Sequence, residues 1–266
     1  MKRSISCIAL ACVISSLIAA TAKAQDAVLP TDPVDGKSQA EWTQDWWNWA
    51  ISYPNGANPI TDATGADAQK GYSTGSNTVF FLAGSFSTPV PVPVVRTVNI
   101  SSNRFLFFPI LNTVSPAPFF GNTEAELRAD ASDNVGIPTN LSVRLDGVDI
   151  TLPLPTTSLA DYRQLSPPGL FDLVIPENNI YGVPSGSYPS VSDGYWVALN
   201  PLTPGNHTLH FETRSVGTGA YDGQVFTQDI TYIITSAAAP EPGSFTLVAF
   251  VGLLVGGSLI RRTKRK

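Results

Sequence analysis

Between residues 38 and 53, Trp42, Trp46, Trp49 and Tyr53 recur at i, i+4, i+7 and i+11, while Glu41, Gln44, Asp45 and Asn48 share the opposite side. That period predicts an amphipathic helix that buries an aromatic stripe, its arc widened by Trp47 and Ile51. Ser38-Gln39-Ala40-Glu41 supplies a capping box for its first turn, and Pro54 marks its end. A turn-rich stretch, 55–75, follows. The pattern then changes to short β-branched and aromatic runs at 78–83, 94–100 and 104–111, which predict strands. Thr123-Glu124-Ala125-Glu126 opens a second, shorter helix.

The second half is a regular series of strand-like runs. Segments 141–145 and 148–152 flank Asp146-Gly147, a favoured dipeptide for a tight hairpin. Runs at 170–175, 194–199, 207–213 and 224–235 complete the set, punctuated by Pro, Gly, Asn and Ser. Such spacing predicts a mainly β, two-sheet sandwich preceded by the Trp-rich helix, and excludes a βαβ fold. Within it, Pro204-Gly205-Asn206-His207-Thr208-Leu209-His210-Phe211 resembles the turn and penultimate strand of immunoglobulin-like and fibronectin-like sandwiches, with 229–235 as closing strand.

The two ends read differently. Lys2 and Arg3, an apolar run over 5–20 and Ala22-Lys23-Ala24 have the order of a signal peptide, 1–24, so the mature chain is expected to begin at Gln25. Residues 25–37 are polar and proline-bearing and are expected to form a flexible lead-in to the exported domain, 38–236. The tail, 237–266, holds Pro240-Glu241-Pro242, an apolar stretch over 245–260 and the basic cluster Arg261, Arg262, Lys264, Arg265 and Lys266. As a single transmembrane helix that stretch reaches about 24 Å at about 1.5 Å per residue, slightly short of a hydrocarbon core near 30 Å. The basic end stays cytoplasmic by the positive-inside rule, which places the domain outside.

These three parts in this order resemble the PEP-CTERM sorting signal of Gram-negative bacteria that make extracellular polysaccharide. The resemblance implies that, after signal peptidase, an exosortase-type protease reads Pro240, Glu241 and Pro242, removes the tail and passes the protein to the cell surface or exterior. Trp46-Trp47-Asn48-Trp49-Ala50, Val79-Phe80-Phe81-Leu82-Ala83-Gly84, Leu106-Phe107-Phe108-Pro109-Ile110-Leu111-Asn112 and Asp193-Gly194-Tyr195-Trp196 further resemble a group of secreted bacterial proteins of unassigned function. That second resemblance carries no reaction or substrate.

Charge and residue inventory narrow the chemistry. Lys2, Arg3, Lys23 and the five tail cations belong to the targeting segments, while all 21 acidic residues lie between Asp26 and Glu241. Eight cations remain, so the exported part carries a net charge of −13, which opposes nucleic acid and anionic lipid. Cys7 and Cys12 both lie in the signal peptide, which leaves the mature chain without thiol or disulfide chemistry. His207 and His210, three apart on a strand, face opposite ways and do not share a metal. No Gly-x-Ser-x-Gly elbow, phosphate loop or dinucleotide fingerprint occurs, and no catalytic residue or cofactor is expected. Asp62, Asp67, Asp146 and Asp149 sit in turns and offer oxygens to calcium, but none fits an EF-hand loop. Paired carboxylates drawn from Asp172, Glu177, Asp193, Glu212, Asp222 and Asp229 are the one route to a polysaccharide hydrolase. Of the tryptophans, the helical stripe is expected to be buried, and Trp47 and Trp196 to be the exposed rings available for stacking on extracellular polysaccharide. The sequence therefore favours a non-catalytic surface or matrix protein, with the hydrolase as the alternative.

Overall fold

The computed structural model describes residues 27–72, 78–85 and 93–239, so the signal peptide, Pro240, Glu241, Pro242 and the apolar tail lie outside the described residues. Among the described residues no helix is long and apolar enough to cross a membrane. The chain is mainly β. Ten strands run in order: β1 Val79–Phe81, β2 Val94–Ser101, β3 Phe105–Pro116, β4 Ile137–Leu145, β5 Val148–Asp149, β6 Arg163–Leu165, β7 Phe171–Ile175, β8 Gly186–Leu199, β9 Gly205–Val216 and β10 Val225–Ala237. Helix α1 (Gln39–Ile51) precedes them and α2 (Glu124–Val135) follows β3. Both helices start with the expected capping boxes, Ser38 with Glu41 and Thr123 with Glu126.

The first sheet runs β1-β3-β8-β6, with β7 also paired to β8, and the second runs β2-β10-β9-β4-β5. Most neighbours are antiparallel, but β1 is parallel to β3 and β2 is parallel to β10. Asp146 and Gly147, both at positive φ, form the predicted two-residue turn between β4 and β5, a conformation that glycine adopts without strain. The sheets share one core: Leu106, Phe108 and Val197 from the first meet Leu209, Phe211, Ile230 and Tyr232 from the second. Phe108 and Phe211 touch at 5.0 Å between ring centres.

The two sheets differ in how many faces they bury. In β2 burial alternates, with Val94, Arg96, Val98 and Ile100 inside, as expected of a sheet wetted on one side. In β8, by contrast, residues 190 to 199 are all buried, because α1 and its neighbouring loops cover the outer face of the first sheet. There Trp46 meets Trp196 edge-on at 5.3 Å, and Trp196 stacks on Phe107 at 5.4 Å.

The tryptophan stripe also ties down irregular chain. Trp42 Nε1 donates to the Val34 carbonyl at 2.6 Å, Trp46 Nε1 to Leu82 at 3.0 Å and Trp49 Nε1 to Lys70 at 2.7 Å. The lead-in is consequently ordered from Ala27 onward, contrary to the expectation of flexibility. Val28 donates its N–H to Ala198, Gln39 Nε2 donates to Leu29, and Val34 is fully buried.

Arg96, an arginine on the inward face of β2, breaks the strand's apolar alternation. Its guanidinium donates to the carbonyls of Asp62 (2.8 Å), Ala83 (2.6 Å) and Gly84 (3.1 Å) and to the Tyr232 hydroxyl (3.0 Å). The same hydroxyl accepts from the Ala83 N–H and donates to the Ala83 carbonyl. Side chains of the second sheet thus complete the backbone bonding where β1 ends.

Trp46 combines full burial, ring contacts with Trp47, Trp49 and Trp196 and a hydrogen bond to the Leu82 carbonyl just after β1. Trp46→Ala is expected to destabilise the protein by about 3–5 kcal/mol, read as a lowered midpoint in urea unfolding.

Candidate functional site

A cavity lies where a short strand stops beside a long one. β1 pairs with β3 only from Phe105 to Phe107, and then departs after the Leu82 N–H bonds the Phe107 carbonyl. β3 continues to Pro116 through an irregularity between Pro109 and Leu111. Beyond this bulge Leu111 joins the core between the sheets while Val114 joins the cluster under α1. Asn112 and Thr113 stand between them, and a cavity of about 250 Å³ lies along this part of the strand.

One side of the cavity is Trp46 and Trp47 of α1 with Ile60 and Tyr181 from loops; the other is Phe226, Thr227 and Gln228 at the start of β10. Asn134 at the end of α2 and Phe120 complete it, the latter 43% exposed and so at the rim. Gln228 is fixed by accepting the Ser85 N–H, and Gly84 leaves room for it, since a Cβ there would lie 2.1 Å from its Oε1. Among the described residues no carboxylate or cationic side chain lines the cavity. Burial pushes the Tyr181 phenol well above its ordinary value, so it too stays neutral. Two donors on the lining residues, Trp47 Nε1 and Asn112 Nδ2, are buried without a hydrogen-bond partner.

Trp47 and Trp196 are not exposed rings. Trp47 is 4% exposed, edge-on against Trp46, because α1 buries more than its central stripe. Trp196 is fully buried because its face of β8 lies under that helix. A stacking platform for sugar therefore does not form from these two residues; Trp47 instead contributes to the cavity wall. Nothing in the residue pattern marks Asn112, Asn134, Tyr181 and Gln228 as neighbours. Pro109 within an apolar strand run was the available signal, since proline inside a sheet marks an edge or a bulge.

The carboxylates are dispersed. Asp193 is buried and bound bidentately by Arg163, at 2.9 and 2.7 Å. Asp172, Glu177 and Asp222 are exposed at separate places. Glu212 and Asp229 alone are brought together, directly opposite each other on β9 and β10. They bond Asn140 and His210 respectively, on the outward face of the second sheet and away from the cavity. His207 bonds Asp146 and the Thr203 carbonyl, so the two histidines are separately engaged.

The turn aspartates have protein partners. Asp67 pairs with Lys70, Asp149 with Arg144, and Asp146 with His207 and the Thr208 N–H. Asp62 accepts from the N–H groups of Thr64, Gly65 and Asp67 and from the Thr64 hydroxyl. Among the described residues no group of three or more His, Cys, Asp or Glu is placed to hold a metal ion. Compared with models of known protein families, with curated proteins and with solved structures, the chain matches none.

Burial alone would raise the Asp62 pKa, but the backbone donors of Asp67, Thr64 and Gly65 and the Thr64 hydroxyl outweigh it and hold the carboxyl below its ordinary value. A lowered folded-state pKa contributes stability that is present above the ordinary carboxylate range, near 4, and is lost as pH falls through the folded value. Thermal unfolding followed from pH 6 to about 2 should therefore show a steeper acid loss for the natural protein than for Asp62→Asn, which is the less stable of the two at neutral pH.

Proposed function

We propose that this is an exported bacterial surface or matrix protein whose domain binds glycan without cleaving it. The observation that carries the reading is the cavity beside the bulge: aromatic walls, amide and hydroxyl groups, and no ionic side chain. Neutral polyhydroxylated ligands are recognised by that combination, apolar walls meeting the C–H faces of a ring and amides bonding its oxygens. The immunoglobulin-like or fibronectin-like character of the sandwich belongs to the same reading. It is supported by the antiparallel pairing of β9 with β10 in one sheet and by the core shared between two sheets.

The address comes from the sequence. A signal peptide exports the chain, the apolar tail holds it briefly in the inner membrane, and an exosortase-type protease reads Pro240, Glu241 and Pro242. The chain ends described structurally at Ala239, whose N–H bonds the Ser102 hydroxyl, so the folded domain reaches to the residue before the processing motif.

A glycan array combined with fractionation of cell envelope and matrix tests the role. Recovery of the protein only as an intact inner-membrane form, with no surface or matrix pool, would refute it. For the tail, Glu241→Ala is expected to leave export and folding intact but to block processing, so that a longer membrane-bound form accumulates. Normal release of that variant in a strain with a working exosortase would reduce the tail to a plain anchor.

A further inference from the structure

The first and the last described residues leave the domain at the same end of the sandwich. On the C-terminal side β10 runs parallel to β2, with Ala237 opposite Ser101. The Ser102 N–H then donates to the Ala237 carbonyl, and its hydroxyl accepts the Ala239 N–H. On the N-terminal side Ala27 bridges Leu199, the last residue of β8, in the antiparallel sense, and the Val28 N–H bonds Ala198. The chain before Ala27 therefore continues past the end of β8 instead of back along it. The connection from β8 to β9 joins the two exits, since the Leu202 carbonyl accepts the Ser236 hydroxyl at 3.3 Å and Gly205 pairs with Ser236. The opposite end of the sheet is distant: β9 has 12 residues, about 40 Å at about 3.3 Å each.

Resting on the export and tail reading above, we infer that the end formed by residues 101–105, 199–206 and 236–239 is the face this domain turns to the phospholipid head groups of the inner membrane while the chain is anchored there. Chain length confines it. Six peptide steps separate Ala239 from Phe245, where the apolar stretch starts, and seven separate Ala27 from Ala20, where the apolar run of the signal ends. At no more than about 3.6 Å per step these tethers reach about 21 and about 25 Å, of which the head-group layer itself takes roughly 5–7 Å. Charge points the same way. The three segments contain no aspartate, glutamate or lysine and one cation, Arg104, although residues 25–241 carry −13. Asp146, beside the start of β9, is taken up by His207 and the Thr208 N–H. At the other end stands α2, with Glu124, Glu126, Asp130 and Asp133 against Arg128 alone. Asp133 and Asp130 tie it to Thr218 and Tyr221 in the connection from β9 to β10. Anionic lipid repels that end and leaves the uncharged one to face it. The cavity belongs to the distant half as well, since its β3 residues lie toward Pro116 and Phe226 pairs with Ser215 near the start of β10. Anchoring thus points the proposed glycan site away from the lipid.

Fluorescence quenching by lipid tests the orientation. The full chain with Cys7→Ser and Cys12→Ser would carry one introduced cysteine bearing a small fluorophore. Asn103→Cys and Thr203→Cys report on the proposed membrane face, Asn122→Cys and Ala220→Cys on the opposite end, and all four positions are exposed. Variants that keep the unfolding temperature of the parent would be reconstituted into vesicles of phosphatidylethanolamine and phosphatidylglycerol, with and without spin-labelled head groups. The expected result is loss of fluorescence at 103 and 203 in the spin-labelled vesicles and none at 122 and 220. Equal quenching at the two ends, or stronger quenching at 122 and 220, would overturn the inference. Absence of quenching at all four positions in a protein that floats with the vesicles would also overturn it, leaving the membrane anchor intact. A protein that does not float with the vesicles would refute the anchor and remove this inference with it.

Discussion

The first sheet must be covered on both faces, and most of the structure follows from that constraint. Its central strand β8 turns Val197 and Leu199 toward the second sheet and Trp196 and Ala198 the other way. An apolar outer face cannot be left to water, and the second sheet is occupied on the inner side. Helix α1 meets the requirement with large rings instead of many small side chains. Rings carry N–H groups into the interior, and each needs an acceptor. Irregular chain from the lead-in, the β1 exit and the loop before β1 supplies those acceptors, which is why segments with no periodicity of their own are held in place.

The same cover is incomplete where β1 stops short of β3. Ending a three-residue strand beside a twelve-residue one strands backbone groups that would otherwise pair. Tyr232, Arg96 and Gln228 reach across from the second sheet to satisfy Ala83, Gly84 and Ser85. Four oxygens converge on the buried Arg96 side chain, an arrangement suited to the rigid fork of a guanidinium. Beyond that point the cavity is lined by residues of α1, β3 and β10.

The local elements were legible because each is written in neighbouring residues. Capping boxes announced both helices, Asp146-Gly147 announced the hairpin, and nine of the strand runs matched strands that form. The alternation of β2 and the continuous burial of β3 and β8 separate a one-sided sheet from a two-sided one. What was not legible depends on residues distant in sequence. β8 begins at Gly186, not 194, because its first half pairs with β7 and with the far end of β3. β6 is three residues whose one strand partner is β8. The lead-in looks polar and flexible until the acceptors of α1 are counted. Trp47 and Trp196 looked peripheral because a helical stripe predicts one buried face, whereas here the cluster wraps round the helix. The site was less legible still, since its lining comes from α1, β3, α2, β10 and four loops, and only the proline at 109 hinted at the bulge.

Electrostatics outside and inside the proposed site act in the same sense. Residues 25–241, the part proposed to be exported, carry −13, so an acidic polymer is opposed at a distance, more strongly at low salt. Inside the cavity the obstacle is desolvation, because no lysine or arginine is present to pair with an anion. Neither effect touches a neutral sugar. Repulsion falls off within about 10 Å at 0.1 M salt, whereas desolvation acts only on contact, so the first governs approach and the second governs entry. Under the glycan-binding proposal, a neutral glycan in an acidic or mixed matrix would be distinguished twice, by a surface that turns charged segments away and by a pocket without a described cation to hold them.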